Sequence, residues 1–564
     1  MMDSLPDRTS MSIASAIETS WVAPPQVIGG LDHLGTQGPC IAIYTQLLPG
    51  ITNVTDRARY YSFYPWLIWS YEKRTHEGES FDAFIDAYRR ADCLFTLIAE
   101  RHARVIADDP ARHGPAMVGR EALNPVLDKL QAGGDVRLST YATREQVAQR
   151  YFANRLGGLG QYYLGTLTQL DVLSVPHRPW INYTLERGVP IAEAFDAAVA
   201  GRAFWKAIED DVINAQTLDD LHAFCPCCLP KQATEQGVLL DTFFDRRAVY
   251  AEEGVQRRKT LALILHLASA LEATGDSELE EAAFRAAVYT RTLPDGSAWR
   301  PPGTLEHTVK AWAHYVKSDI LSVVAQTALT ISLKALPTEP TIPSSIEEFA
   351  RLLVERRAVR DALKRHRAQT FGDLCERVRT TLPALSEIHS EHHELQWFVR
   401  RLSNNLIEDD AIPGFLASVI WMLAVLHVRD DLESPPFGPL TLDERLLQES
   451  PINLASVRAR CLAWQVTPLA EVVEEFVAWC LETHLHVALR KLRQNSKATF
   501  KIHPTDRGLE PCGEAVPAPV KTNPRFRQAV KILWDLGVLA RREDGTGALR
   551  ITELGRVLYE ASHG

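Results

Sequence analysis

The fold of the last part of the chain is decided by residues 523–563, NPRFRQAVKILWDLGVLARREDGTGALRITELGRVLYEASH. Asn523-Pro524 is a typical helix start, and Gly537 is a typical helix end. The apolar residues between them recur at helical spacing, at positions 526, 529, 530, 533, 534 and 536. Residues 538–542 and 548–551 flank the turn-forming sequence DGTG, which predicts a β-hairpin, and Thr552 is placed to cap a helix over 553–561.

This order of helix, basic hairpin and helix resembles the second half of bacterial winged-helix domains. The sequence LRITELG at 549–555 is similar to their passage from the wing to the following helix. The resemblance implies a helix presented to the DNA major groove and a wing close to the phosphate backbone. The phosphate contacts it implies are Arg525, Arg527, Lys531, Arg541, Arg542 and Arg550. A winged helix that docks only onto another protein is the alternative.

Composition and charge indicate a globular protein of several domains. The chain has 564 residues, 46% of them hydrophobic, and a formal net charge of −10. This charge argues against a protein that coats nucleic acid over its whole surface. Residues 490–564 differ from the rest, since they contain 14 Lys and Arg against 8 Asp and Glu. A basic end on an acidic body predicts a confined nucleic-acid contact or a solvated surface.

Cysteine usage and hydropathy predict a cytoplasmic protein without a membrane segment. The nine cysteines are scattered, several of them in apolar helical runs, as in reduced compartments. Asp3 and Asp7 near the start are unlike a signal peptide. Residues 414–428 form an uncharged run that is too short to span a bilayer and predicts a buried helix.

Helical periodicity dominates, so we expect a mainly α, multi-domain fold. Predicted helices lie at 81–102, 143–156, 188–214, 255–273, 278–291, 304–335, 345–366, 371–381, 391–406 and 466–494. A short strand is predicted at 499–502, and the Pro-rich stretch 503–523 is predicted to be a linker. The expected domains are an N-terminal helical region with an aromatic-rich block, a helical middle, a helical connector and a winged-helix-like end, at 1–200, 201–440, 441–510 and 511–564.

The aromatic-rich block is LPGITNVTDRARYYSFYPWLIW, residues 48–69. Arg57 and Arg59 are two positions apart at the start of a predicted helix, so they point to different faces and at least one is directed inward. A buried arginine needs a carboxylate or several carbonyl oxygens. Two interpretations follow: an anion or nucleic-acid pocket with stacking aromatics, or an aromatic core in which arginine holds down the preceding loop.

This block also resembles a group of uncharacterised bacterial proteins that are encoded beside restriction and phage-defence genes. The sequence RLGGLGQYY at 155–163 and the WAHY and Asp319 of 312–319 are similar to the same group. The resemblance implies an accessory role in defence and assigns no catalytic residue.

Candidates for metal or catalytic chemistry are few. The sequence HAFCPCC contains one C-x-x-C, so His222, Cys225 and Cys228 are zinc candidates by residue type. A structural zinc usually takes four ligands from two such pairs, and no second pair stands at a suitable spacing, so a loop with buried thiols is the alternative and no metal is predicted. No P-loop, nucleophile elbow or metal-nuclease motif occurs, and we predict no cofactor and no catalytic residue.

The sequence thus favours a non-catalytic component of a bacterial anti-phage or DNA-processing system. It would bind double-stranded DNA through the C-terminal winged helix and other protein subunits through the helical body. One alternative is a scaffold subunit whose winged helix docks onto protein only. Another is an enzyme with an anion-binding pocket around Arg57 and Arg59. Long helices such as 466–494 could also pair between copies in a homo-oligomer.

Overall fold

The computed structural model describes residues 32–74, 80–106, 109–175, 180–275, 278–388, 393–405, 412–495, 498–513, 515–542 and 548–563. Within them the fold is mainly α-helical with small two-stranded sheets, as the sequence predicts. One connected cluster of buried apolar side chains extends from Leu34 to Leu558. The domain boundaries given above stay a prediction.

The N-terminal part contains nine α-helices among the described residues. They are α1 (Gln37–Leu47), α2 (Tyr60–Arg74), α3 (Phe81–Val105), α4 (Arg120–Gln131), α5 (Leu138–Ala142), α6 (Leu164–Gln169), α7 (Gly188–Ala198), α8 (Gly201–Asp210) and α9 (Ala215–Asp220). Two antiparallel strand pairs accompany them: β1 (Val136–Arg137) with β4 (Val212–Ile213), and β2 (Leu173–Ser174) with β3 (Asn182–Tyr183).

The middle part consists of helices joined by irregular segments among its described residues. Its helices are α10 (Ala233–Phe244), α11 (Ala251–Thr274), α12 (Glu281–Thr290), α13 (Glu306–Ala335), α14 (Ile346–Glu355), α15 (Arg357–Lys364), α16 (Phe371–Thr381), α17 (Glu394–Asn405) and α18 (Leu416–Val428). The C-terminal part has α19 (Glu444–Glu449), α20 (Leu454–Ala463), α21 (Leu469–Asn495), β5 (Ile502–Thr505), β6 (Gly508–Pro511), α22 (Phe526–Asp535), β7 (Leu539–Arg541), β8 (Leu549–Ile551) and α23 (Glu553–His563).

Helix α13 is the central core helix, and it packs against α1, α12, α18 and α21. The segment Gly303–Thr338 around it is long and apolar enough to cross a membrane, with a mean hydropathy of 1.4, but 83% of that window is buried inside the fold. Burial on all sides explains the composition, because a helix without a solvent face needs no polar stripe. Residues 414–428 also form a buried helix, α18, as predicted.

The aromatic-rich block forms α2, whose side chains pack into a core of stacked rings. The Phe63 ring stacks on Phe95 of α3 with centroids 4.0 Å apart, and Tyr60 stacks on Tyr64 at 5.0 Å. Helix α3 begins where predicted, since the Ser80 side chain accepts a hydrogen bond from the Ala83 amide. The interpretation of an aromatic core is therefore confirmed for this block.

The predicted helix at 143–156 is wrong, because a buried arginine takes up the carbonyl oxygens that a helix would use. The Arg89 guanidinium donates to the carbonyls of Ala142, Thr143, Phe152 and Asn154, which hold the segment as an irregular loop. The predicted helix at 188–214 is interrupted at 199–200 and ends at Asp210. The predicted helix at 345–366 is interrupted at residue 356.

The predicted linker at 503–523 is instead an ordered part of the fold. The predicted strand lies three residues later, as β5, and its partner β6 lies inside the linker. Beyond β6, the chain is fixed to α13: the Thr522 amide donates to the Asp319 carboxylate at 2.8 Å. Arg285 joins the two, since it donates to Asp319 and to the Thr522 carbonyl, each at 2.6 Å. The segment therefore ties the C-terminal element to the helical body.

A buried carboxylate network joins α2, α3 and the glycine-rich turn at 157–160. Asp92 accepts hydrogen bonds from the hydroxyls of Tyr64 and Tyr151 and from the Gly158 amide, at 3.0–3.1 Å. Desolvation by burial raises the pKa of Asp92 from 3.8 to about 6, although these three donors oppose the shift. The folded state therefore holds this carboxyl neutral more readily than the unfolded chain does.

We predict that the substitution Asp92→Asn removes a component of the pH dependence of stability. Because the folded pKa lies above the unfolded one, Asp92 stabilises the fold most below pH 3.8 and loses that contribution as the pH rises through about 6. The free energy of unfolding of the natural chain should thus fall relative to the variant by about 3 kcal/mol between acidic and neutral pH. Urea denaturation across this range measures it, and parallel curves for the two proteins would contradict the prediction.

Candidate functional site

Arg57 lies at a junction of three parts of the chain. Its side chain is buried, and its Nε donates to Asp535 of α22 at 3.0 Å. Its terminal nitrogens donate to four carbonyls of one loop, those of Ala111, Arg112, His113 and Pro115. The Asp535 carboxylate also accepts from the Ala58 amide at 3.0 Å. Desolvation raises the pKa of Asp535, and the charge of Arg57 opposes this shift. Arg57 therefore fixes a loop and the C-terminal element to the start of α2.

Arg59 has the same role for a second loop. Its Nε and one terminal nitrogen donate to the two carboxylate oxygens of Glu235 at 3.2 and 2.9 Å, and both side chains are fully buried. The other terminal nitrogen donates to the carbonyls of Ala223 and Cys225. Protein oxygens thus surround both arginines. Both guanidinium groups are therefore buried and directed at acceptors among the described residues.

The two loops bring a group of histidine and cysteine side chains together. His102 stands in the last turn of α3, His113 in the loop held by Arg57, and Cys225 and Cys227 in the loop held by Arg59. One nitrogen or sulfur atom from each of the four lies within 4.8 Å of those from the other three. We refer to these residues as the His–Cys cluster.

Among the sequence candidates for zinc, only Cys225 belongs to the His–Cys cluster. His222 is exposed, and its Nδ1 lies 2.9 Å from the Asp219 carbonyl. The Cys228 sulfur lies 3.9 Å from that of Cys227 and donates to the His222 carbonyl. The sequence did not indicate His102, His113 and Cys227 as possible metal ligands, because the two histidines are separated from the cysteines by more than a hundred residues. Only the folded structure shows that the C-x-C pair lies beside these two distant histidines.

The C-terminal element has the predicted order of helix, hairpin and helix. Strands β7 and β8 pair in antiparallel register, with Leu539 opposite Ile551, and the predicted turn at 544–547 lies outside the described residues. The Thr552 hydroxyl accepts from the Gly555 amide at 3.2 Å and so caps α23, as predicted. The first helix begins at Phe526 rather than at Asn523-Pro524, because Arg525 adopts a left-handed conformation with φ of 64°. This order is compatible with a winged-helix element.

The helix that precedes the hairpin, α22, is packed into the protein. Phe526 stacks on Phe284 of α12 with centroids 4.9 Å apart, and Asp535 pairs with Arg57. Gln528 donates to the Asn53 carbonyl at 3.1 Å. All residues of this helix are buried except Arg527, which is exposed, and Lys531 and Trp534, which are partly exposed. These three positions are about one turn apart, so one narrow face of α22 stays partly exposed, and on that face Lys531 pairs with Asp56.

The six basic residues of the C-terminal element occupy different environments. Arg525 lies against the Tyr44 ring and donates to Leu48 and Thr45, so its guanidinium is directed into the protein. Burial lowers the pKa of Arg525, and the neighbouring tyrosines partly offset this decrease. Lys531 pairs with Asp56 at 3.4 Å and Arg541 with Asp109 at 2.7 Å.

Arg542 contacts backbone carbonyls at the end of α11, those of Glu272 and Gly275. Arg527 and Arg550 are exposed. Most of the basic side chains of this element are therefore engaged by acceptors of the helical body.

A denser basic surface lies on α15, the residues that follow it and the middle of α16, outside the candidates taken from the sequence. We define the α15 basic surface by exposed side chains: Arg357, Arg360, Lys364, Arg365, Arg367 and Arg377. Residues 356–367 contain six basic residues and one acidic residue, Asp361, for a net charge of +5. Asp361 pairs with Arg357 and Lys364, whereas Arg360, Arg365 and Arg367 form no ion pair with a described residue.

His366 shows that the α15 and α16 charges are close to each other. Burial lowers the pKa of His366, and the charges of Arg365 and Arg377 lower it further. The sequence signal was the run RRAVRDALKRHR at 356–367, in which the basic residues share the solvent face because Val359, Ala362 and Leu363 face the core.

A separate surface cleft of about 670 Å³ lies between α11 and residues 439–441. Its ionisable lining residues are Glu252, Lys259 and His307. It contains neither of the arginines that the enzyme interpretation used.

Comparison with known protein families, with curated proteins and with solved structures gives no match to this chain.

We predict that Arg57→Met destabilises the protein by about 3–5 kcal/mol, because it leaves the buried Asp535 and a set of buried carbonyls without their donor. The matched control is Lys531→Met. Lys531 lies on α22, like Asp535, and its partly exposed pair with Asp56 should contribute less than about 1 kcal/mol. Denaturant unfolding of the two variants measures the difference. Equal stabilities of the two variants would show that Arg57 does not hold the junction.

Proposed function

We propose that the protein is a non-catalytic, double-stranded DNA-binding component that contacts the phosphate backbone through the α15 basic surface. The observation that supports this proposal is the concentration of exposed positive charge on α15, the residues that follow it and α16, in a chain with a net charge of −10. Such a patch is the electrostatic footprint expected of a local nucleic-acid contact.

The geometry of the α15 basic surface suits backbone contact rather than base reading. Helix α15 has eight residues, which corresponds to a length of about 12 Å. A length of this order spans only a few phosphates of one strand, at about 3.4 Å per nucleotide. Arg360 and Lys364 are one turn apart on the exposed face, and Arg365 follows directly. We therefore expect affinity with little sequence preference.

The C-terminal element has a different part in this proposal. Its α22 is occupied by contacts within the chain, so it supports the body rather than entering a groove. The exposed side chains of Arg527 and Arg550 are candidates for additional phosphate contacts. This docking also favours a second candidate function, a scaffold subunit whose winged-helix element packs only against protein. The association with a bacterial anti-phage or DNA-processing system rests on the sequence resemblance alone.

We predict that the variant Arg360→Gln/Lys364→Gln/Arg365→Gln loses affinity for short duplex DNA. Each lost phosphate contact lowers the magnitude of the slope of log K against log salt by about 0.9, so loss of all three contacts lowers it by about 3. Glutamine keeps helix propensity close to that of arginine and lysine, so the fold should be retained. Fluorescence anisotropy with labelled duplex DNA across a salt series measures both affinity and slope.

The matched control is Arg137→Gln/Lys206→Gln/Lys310→Gln, which removes the same net charge at exposed sites elsewhere. It should retain the natural slope. A second comparison, Arg527→Gln/Arg550→Gln, measures the share of the C-terminal element. Equal losses in the α15 variant and the control would contradict a local site on α15. Absence of DNA binding by the natural chain would favour the scaffold function.

A further inference from the structure

The His–Cys cluster has the donor atoms of a common structural metal site. Its four side chains offer two imidazole nitrogens and two sulfurs. Sulfur and imidazole ligands together favour zinc over the oxygen-preferring ions magnesium and calcium. A set of two cysteines and two histidines is among the usual ligand sets of closed, four-coordinate zinc.

The distances between donor atoms fit a tetrahedral ion. The His113 Nδ1 lies 3.2 Å from the Cys225 sulfur, and the His102 Nδ1 lies 3.3 Å from the Cys227 sulfur. With zinc–sulfur bonds of about 2.3 Å and zinc–nitrogen bonds of about 2.0–2.1 Å, the edge of a tetrahedron between nitrogen and sulfur is about 3.5 Å. All four donor atoms are already within 4.8 Å of one another, so coordination requires only small side-chain movements.

The hydrogen bonding of His113 independently indicates a missing ligand. The residue is fully buried, and its Nε2 has no hydrogen-bond partner among the described residues. Its Nδ1 contacts only a cysteine sulfur, which is a weak hydrogen-bonding group. A buried polar ring without strong partners is costly. Coordination of a metal by Nδ1, the nitrogen that faces the Cys225 sulfur, would replace this weak contact with a strong bond.

The surroundings of the His–Cys cluster hold its ligands in place. Arg57 donates to the carbonyl of His113 and to those of its neighbours, and Arg59 donates to the carbonyl of Cys225. These contacts fix the two ligand-bearing loops before any ion binds. His102 and His113 meet edge to face, with ring centroids 5.0 Å apart and an interplanar angle of 75°. The side chains of His102, His113 and Cys225 are buried, so the centre of the His–Cys cluster is shielded from solvent.

We propose that His102, His113, Cys225 and Cys227 form a structural zinc site that joins the end of α3 to the loop between α9 and α10. Four protein ligands complete the coordination sphere and leave no position for a reacting water, so the site stabilises the fold and performs no catalysis. It lies beside the docking surface of α22, because Cys227, Trp534 and Asp535 line one small cleft. The proposal is independent of the DNA-binding function.

The first test is the zinc content of the full chain, purified without chelators from zinc-supplemented medium and measured by inductively coupled plasma mass spectrometry. We expect about one zinc ion per chain for the natural sequence. The variant Cys225→Ser/Cys227→Ser should lose at least about nine-tenths of this metal, since serine is a poor zinc ligand. The matched control Cys228→Ser changes a neighbouring thiol outside the His–Cys cluster and should retain it.

The second test uses the natural chain and therefore does not depend on a variant folding correctly. Metal-stripped protein is titrated with Co²⁺ alone and followed by absorption spectroscopy. A tetrahedral site with two thiolates should give intense visible d–d bands and thiolate-to-metal charge transfer that saturate at about one ion per chain. Zinc should abolish these bands and raise the unfolding midpoint.

The proposal would be overturned by substoichiometric zinc in the natural chain together with no saturable cobalt spectrum. Equal zinc content in the double variant and in the natural chain would also overturn it. A cobalt spectrum without charge-transfer bands would exclude cysteine ligation and reject the assigned ligand set.

Discussion

The burial of Arg57 is the constraint on which the junction between the N-terminal and C-terminal parts depends. A guanidinium group cannot lose its charge in a protein, so its burial requires acceptors on every side. The structure supplies them from the loop at 111–115 and from Asp535 of α22. Arg59 repeats this arrangement with Glu235 and the loop at 223–225. Two neighbouring positions in the sequence thus organise segments that lie far apart in the chain.

This arrangement connects the aromatic core, the His–Cys cluster and the C-terminal element. The loops held by the two arginines carry three of the four cluster residues, and α22 packs against the same region. A zinc ion there would fix the loops through their side chains, while the arginines fix them through their backbone. The winged-helix-like element therefore has a structural part in the protein, and the α15 basic surface lies elsewhere on the described chain.

The fold was predictable where the sequence signal is local. Thr552 caps α23, Ser80 caps α3, and the hairpin strands fall where alternation and turn residues place them. The predicted helix at 143–156 failed because Arg89, distant in sequence, takes up its carbonyl oxygens. The linker at 503–523 failed because Asp319 and Arg285 bind its backbone. Tertiary contacts of this kind leave no local pattern.

The sites follow the same division. The structural interpretation of Arg57 and Arg59 came from chemistry alone, since buried arginines need acceptors wherever they occur. The His–Cys cluster was hidden because its histidines precede its cysteines by more than a hundred residues. The α15 basic surface was visible in the sequence as the basic run at 356–367. That Asp361 is the acidic residue of this run that pairs with its basic side chains is visible only in the fold.

The central claim is that Arg57 holds two loops and α22 as one unit, and hydrogen exchange of the full chain tests it most directly. In an Arg57→Lys variant, amides in 109–118 and in 526–541 should lose protection together, whereas those of α13 and α21 should keep it. Lysine retains the charge but not the planar set of donors, so the effect isolates the hydrogen-bond geometry. Unchanged protection in both segments, or loss in only one of them, would contradict the account.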